Sequence, residues 1–275
     1  MSDEPVVIGS SAHAALLRLR DRLSLLQIAI AWASAFSKPV ILEWINALNG
    51  ALGIGYNTEL LKKRGIPAPK CWADLLDPKL RDEVQIADPN SSGTAYVFLA
   101  TTVQRLGEEK GFEYLKALHK NINQYTKSGI APVKATALGE TTVGIAFIHD
   151  MLTQKLQGAP IETVAPCEGT GYETGSVSII KGGRNPEAAR RFVDFTLSPE
   201  AQNINAKLKI NSIPSNRNTT LSPDAPNFSE MKLIDYDTPR WGSPAERSWA
   251  SISCQWSSVT SAGWRSSSHR TSSSA

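Results

Sequence analysis

Val143-Gly-Ile-Ala-Phe-Ile148 runs without a single polar side chain. A strand with one wet face alternates polar and apolar residues, so an unbroken apolar run reads as a strand buried on both faces. Such a strand needs helices layered above and below it, which narrows the fold to the α/β class. The stretch from Gly50 to Glu246 agrees, because short apolar strands alternate there with capped amphipathic helices.

Leu52–Tyr56 reads as a strand, followed by Asn57-Thr58 as cap for a helix over Glu59–Arg64 that Gly65 stops. Pro67 and Pro69 keep the next stretch extended, and Cys71–Leu76 reads as one helical turn closed by Asp77-Pro78. Val84–Ala87 is a strand, Asp88–Thr94 a loop and Ala95–Leu106 a long helix. Gly111–Lys120 carries Phe112, Leu115 and Leu118 on one face, and Pro132–Leu138 is also helical. After a strand at Val177–Ile180, the pairs Asn185-Pro186 and Ser198-Pro199 open two more helices. The Ala-, Leu- and Trp-rich stretch before Gly50 fits no pattern. Beyond Arg247 a Ser-rich tail with isolated tryptophans has no period and no acidic residue, and is expected to be disordered.

The 29 basic and 26 acidic residues leave a net charge of +3 with both signs interspersed, without the basic footprint of a nucleic-acid binder. No apolar run reaches the roughly 18–20 residues that a membrane-spanning helix needs. Arg18, Arg20 and Arg22 before an apolar stretch, with Ala33-Ser-Ala35 behind it, resemble a secretory signal. Leu16, Leu19, Leu23, Leu26 and Ile30 equally fit an amphipathic helix, which Asp21 and the long lead favour. Cys71, Cys167 and Cys254 are far apart, odd in number and without metal-type spacing, so no disulfide framework is expected and Cys71 and Cys167 read as small hydrophobes. The four histidines are scattered and Gly-x-Ser-x-Gly is absent, so neither a metal, a cofactor nor a catalytic set is expected.

Three loops carry candidate binding residues. Ser91, Ser92, Gly93 and Thr94 lie between a strand and a helix start, where unpaired backbone N–H groups and hydroxyls suit an anion. The competing reading is that one serine merely caps the helix. It is not a P-loop, since the Gly-Lys-Ser/Thr ending is missing. His149 and Asp150 follow the buried strand, where α/β sheets expose ligand-binding loops, and they suit the hydroxyls of a sugar; alternatively Asp150 caps a helix over Met151–Leu156. Tyr172 and Glu173 stand in the Gly-rich loop Glu168–Ser176, placed either to reach a cleft or to form a plain surface loop.

Gly53-Ile-Gly-Tyr-Asn-Thr-Glu-Leu-Leu, Pro69-Lys-Cys-Trp-Ala-Asp-Leu-Leu-Asp-Pro, Asp88-Pro-Asn-Ser-Ser-Gly-Thr and the run from Gly182 to Gln202 occur in an order that resembles the type II periplasmic binding proteins of ABC importers, often labelled ferric-iron transporters. The resemblance covers about Gly50 to Glu246. It implies a two-lobed α/β fold with ligand in the cleft between lobes, a monomer in the periplasm and an ABC permease as partner. Within it, 50–84 belongs to a first lobe, 85–175 to a second, and 176–246 returns to the first. Iron binders of the family use paired tyrosines after the strand that here ends before His149-Asp150. The His-Asp pair with Glu173 resembles instead the subgroup that binds hexose phosphates, so the expected ligand is a small phosphorylated sugar. A ferric-iron carrier, an enzyme of a phosphosugar using His149 and Asp150, and a non-functional fragment are the alternatives. The family's first strand-helix-strand units should precede Gly50 and its final helix should follow Arg247. Residues 1–49 and the Ser-rich tail resemble neither, so the first lobe is expected to be incomplete.

Overall fold

Strand β2, Ile45–Asn57, runs for 13 residues and serves two sheets, which sets the division of the chain. A computed structural model describes residues 6–8, 45–180, 182–237, 241, 256–257 and 259–260, with side chains from Asn49 onward. The segment that resembles a secretory signal lies outside the described residues. The chain forms two compact units, Met1–Ala51 with Tyr172–Phe228 and Leu52–Gly171 with the residues from Ser229 on.

In the first unit, β7 (Tyr172–Ile179) pairs antiparallel with β1 (Val6–Ile8) and with the Ile45–Ala51 half of β2, and that half pairs with β8 (Ile213–Pro214). Helices α6 (Pro186–Leu197) and α7 (Pro199–Lys207) each begin on a proline, which loses nothing there because a first-turn N–H has no intrahelical partner. Ser198 caps α7 by accepting from Ala201 N at 3.2 Å.

The second unit orders its strands β6-β2-β5-β3-β4, where β6 is Ile161–Val164, and β3 (Val84–Ala87), β4 (Ile122–Thr126) and β5 (Val143–Phe147) run parallel. The Leu52–Asn57 half of β2 runs antiparallel to β5 and β6. Every residue of β3 and β5 is buried, as the unbroken apolar run requires. Helix α1 (Thr58–Arg64) starts where the Asn57 carboxamide accepts from Glu59 N and Leu60 N and stops at Gly65 in the left-handed region. Helices α2 (Gly93–Leu106), α3 (Glu108–His119), α4 (Ala131–Leu138) and α5 (Ile148–Leu156) complete the layers. Leu52, Ile54, Trp72, Phe98 and Ile145 lie at the heart of the core, with the Trp72 and Phe98 rings 5.1 Å apart. Among the described residues no helix is long and apolar enough to cross a membrane.

Four expectations change. Residues 52–84 group with 85–171, not with 176–228, because β2 pairs with β5 and β6 and Trp72 packs on Phe98. Glu168–Ser176 is strand from Tyr172 on, since Gly50 and Ala51 pair with Glu173 and Tyr172. Cys71 and Cys167 form a disulfide: their Cα atoms are 4.8 Å apart across 96 residues of sequence, within bonding range. The pair is held in register by Cys167 N donating to Lys70 O at 3.0 Å. The tail beyond Arg247 contributes Trp256 and Val259 to the second unit's core, 3% and 2% exposed, because burying a ring of that size outweighs fixing a few residues.

Candidate ligand-binding site

Three parallel strands of the second unit, β3, β4 and β5, end at one edge of its sheet, and a helix begins beyond each. Ligands of α/β proteins bind at this carboxyl edge. The first-turn N–H groups of α2, α4 and α5 have no intrahelical acceptor and carry the positive end of the helix dipole. None of the three helices is capped by its own N-cap side chain, those residues being Ser92, Ile130 and Phe147. The simple capping role for a serine therefore does not hold at α2.

Two loops meet at the starts of α2 and α4. Asp88 shapes the first: its Oδ1 accepts from Asn90 N at 2.8 Å, and its carbonyl accepts from Ser91 N and Ser92 N. Asp88 N donates to Thr126 O at 2.7 Å, and Ser91 Oγ donates to Lys127 O at 3.1 Å, so this loop is sewn to the one after β4. Ser91 thus serves the scaffold. The hydroxyls of Ser92 and Thr94 have no hydrogen-bond partner among the described residues, and a β-carbon on Gly93 would meet open space. Gly129 sits against both hydroxyls: a β-carbon there would come 2.3 Å from Thr94 Oγ1 and 3.1 Å from Ser92 Oγ.

The 127–130 loop was not singled out from sequence. Its strand β4, Ile-Asn-Gln-Tyr-Thr, exposes Asn123 and Gln124 and lacks a clear period. The signal that was available is Ser128-Gly129 just ahead of Pro132, which repeats the Ser-Gly entry into a helix seen at Ser92-Gly93.

His149 and Asp150 lie inside the first turn of α5 and not in a loop, because the strand ends at Phe147 and Ile148 already belongs to the helix. Asp150 is therefore a first-turn acid favourable to the dipole, and not the cap. His149 Nε2 is 3.7 Å from Asp150 Oδ1, with side chains 13% and 33% exposed. The His149 ring stacks on Phe147 at 5.6 Å and 12°, and its Nδ1 is buried without a partner. Burial pushes the His149 imidazole down, against the pull of Asp150. The same burial pushes the Asp150 carboxyl up, against His149. The pair thus offers a neutral imidazole and an acceptor oxygen next to a helix start.

Tyr172 and Glu173 belong to the first unit, at the start of β7, and both are half-buried. Consecutive strand residues face opposite sides, so these two do not serve one site together. The residues that come together are Ser92, Gly93, Thr94 and Gly129, with His149 and Asp150 at the same sheet edge. Among the described residues one group has metal-type donors, Cys71, Cys167 and Glu168. Its cysteines are spent in the disulfide, and the Glu168 carboxylate accepts from Trp72 N at 2.7 Å and Ala73 N at 2.9 Å. It braces a turn.

Residues 42–240 match the family model described as bacterial extracellular solute-binding protein. The periplasmic binding protein AfuA from Actinobacillus pleuropneumoniae, solved with exogenous fructose-6-phosphate bound, is similar at 51% identity and a TM-score of 0.74, over 78% of this chain and 68% of that one. The periplasmic binding protein P5PA is similar at 40% identity and a TM-score of 0.74, over 79% and 69%. An uncharacterised protein of Haemophilus influenzae is 53% identical over 201 residues, 72% of this chain. The chain spans 58% of that relative's length.

Proposed function

The chain belongs to the family of bacterial extracellular solute-binding proteins, and from that premise we propose that it captures a small phosphorylated sugar for an ABC importer. One observation carries the reading. Three helix starts without side-chain caps share a sheet edge with the open hydroxyls of Ser92 and Thr94 and the unpartnered Nδ1 of His149. Backbone N–H groups and hydroxyls suit a phosphate, and a neutral imidazole beside a carboxylate suits sugar hydroxyls.

In this reading the phosphate sits before α2 and α4, held by Ser92, Thr94 and the N–H groups around Gly93. Asp150 accepts from ring hydroxyls and His149 orients them. Ser91 acts through the scaffold, and Tyr172 and Glu173 are assigned by mutation one at a time. Binding needs no covalent step. The relative at 51% identity that was solved with fructose-6-phosphate supports the ligand class. A His-Asp pair is a poor substitute for phenolate ligands of a hard ferric ion, which weighs against iron. The Cys71–Cys167 disulfide supports residence in an oxidising compartment such as the periplasm, with delivery to a membrane permease.

A thermal-shift screen tests the proposal. Fructose 6-phosphate raises the melting temperature in a concentration-dependent way, whereas fructose and Fe³⁺ leave it unchanged. Stabilisation by Fe³⁺ alone would replace this reading with the iron one.

A further inference from the structure

The ligand reading leaves an aromatic cluster unexplained. Tyr125, the next-to-last residue of β4, stacks on His119 at 5.8 Å and 12°. A 3.0 Å hydrogen bond joins its hydroxyl to His119 Nδ1. Trp256 meets the same ring edge-on at 5.3 Å and 87°, although it stands far away in sequence. Edge-to-face pairs at this distance are favourable beyond the area they bury.

The position of Tyr125 gives the cluster a consequence. Among the described residues strand β4 ends its sheet and pairs with β3 alone, so half of its backbone ladder has no described strand to hold it. The next residue, Thr126, joins the two loops at the starts of α2 and α4: its carbonyl accepts from Asp88 N, and its Oγ1 donates to Ser128 O at 2.9 Å. Gly129 then lies against Thr94 and Ser92. A shift of Tyr125 would therefore be passed straight to the hydroxyls.

We infer that Trp256 is a positioning residue for the binding site: it clamps Tyr125 at the end of β4 and so fixes the 88–92 and 127–130 loops. Its effect on affinity rests on the ligand reading above, whereas its effect on the loops does not.

Amide hydrogen exchange without ligand, together with calorimetric binding of inorganic phosphate and fructose 6-phosphate, tests the clamp in Trp256→Ala and Trp256→Phe. In Trp256→Ala, amides of 126–131 exchange about tenfold faster while those of β5 and α5 keep their wild-type rates. Both ligands weaken by the same factor, because only the anion end is disturbed. Trp256→Phe keeps a ring edge and recovers most of the protection and affinity. Unchanged exchange at 126–131, or exchange raised evenly through the whole unit, overturns the clamp. Where wild type binds neither ligand but the local exchange effect appears, the ligand reading fails and the clamp stands. Should Trp256→Ala not fold, Trp256→Leu, which keeps bulk and loses the ring, decides by the same exchange readout.

Discussion

Gly129 and Thr94 touch so closely that a β-carbon on the glycine would lie 2.3 Å from the threonine Oγ1 and 2.8 Å from its Cβ. The Thr94 hydroxyl, the proposed phosphate donor, is thus set by a residue on another loop. Gly129→Ala should push Thr94 aside, costing about 1–3 kcal/mol of stability by overpacking. Affinity for a phosphorylated ligand should fall with it. Chemical denaturation and calorimetry check both, and a variant with wild-type values would show that the contact relaxes freely.

The disulfide closes a long loop, with Cys71 and Cys167 separated by 96 residues. Cross-links of this kind stabilise chiefly by restricting the unfolded chain, typically by about 2–4 kcal/mol. The double variant Cys71→Ser, Cys167→Ser should lose stability of that order, and reduction of the wild type should expose two further thiols. The folded geometry should survive, because Glu168 still accepts from Trp72 N and Ala73 N and Trp72 Nε1 still donates to Gly169 O at 3.1 Å. Matching denaturation midpoints in the oxidised protein and the double variant would contradict the bond.

Much of the second unit was legible because its signals are local. Asn57 and Gly65 bracket α1, the apolar run marks β5, and the run of hydroxyls ahead of α2 marks a helix start at an edge. What escaped depends on distant partners. The first half of strand β7, Tyr172–Ser176, looks like a glycine-rich loop until residues of β2 such as Gly50 and Ala51 pair with it. The disulfide joins cysteines whose spacing says nothing, and β4 is an edge strand whose exposed Asn123 and Gln124 erase the pattern. Trp256 stands in serine-rich sequence but packs on Tyr125. Deleting Ser248–Ala275 should accordingly lower the melting temperature by several degrees, as loss of a buried ring does. An unchanged midpoint would show that the tail is dispensable.

His149 should make stability fall on the acid side. Burial lowers its folded-state pKa below the ordinary 6.5, so below that pH the unfolded chain takes up a proton that the folded one resists. Stability is complete above about pH 6.5 and declines as the pH drops toward the folded-state value. Asp150 works the other way: its raised pKa favours the fold below the ordinary 3.8, and that gain is lost as the pH rises through the folded-state value. Melting temperatures of wild type and His149→Gln between about pH 7.5 and pH 5 separate the two. The wild type should lose ground to the variant as pH falls, and parallel profiles would exclude a buried neutral imidazole.

The central claim, a phosphate at the α2 start and sugar hydroxyls at His149-Asp150, is tested most directly by calorimetry on two variants with two ligands. Thr94→Val removes a donor to a charged group, so binding of inorganic phosphate and of fructose 6-phosphate should both weaken by about 1–3 kcal/mol. Asp150→Ala leaves the phosphate donors in place, so it should weaken fructose 6-phosphate strongly and spare inorganic phosphate. If Asp150→Ala spares fructose 6-phosphate, or Thr94→Val leaves both affinities at the wild-type value, the site is not where this account puts it.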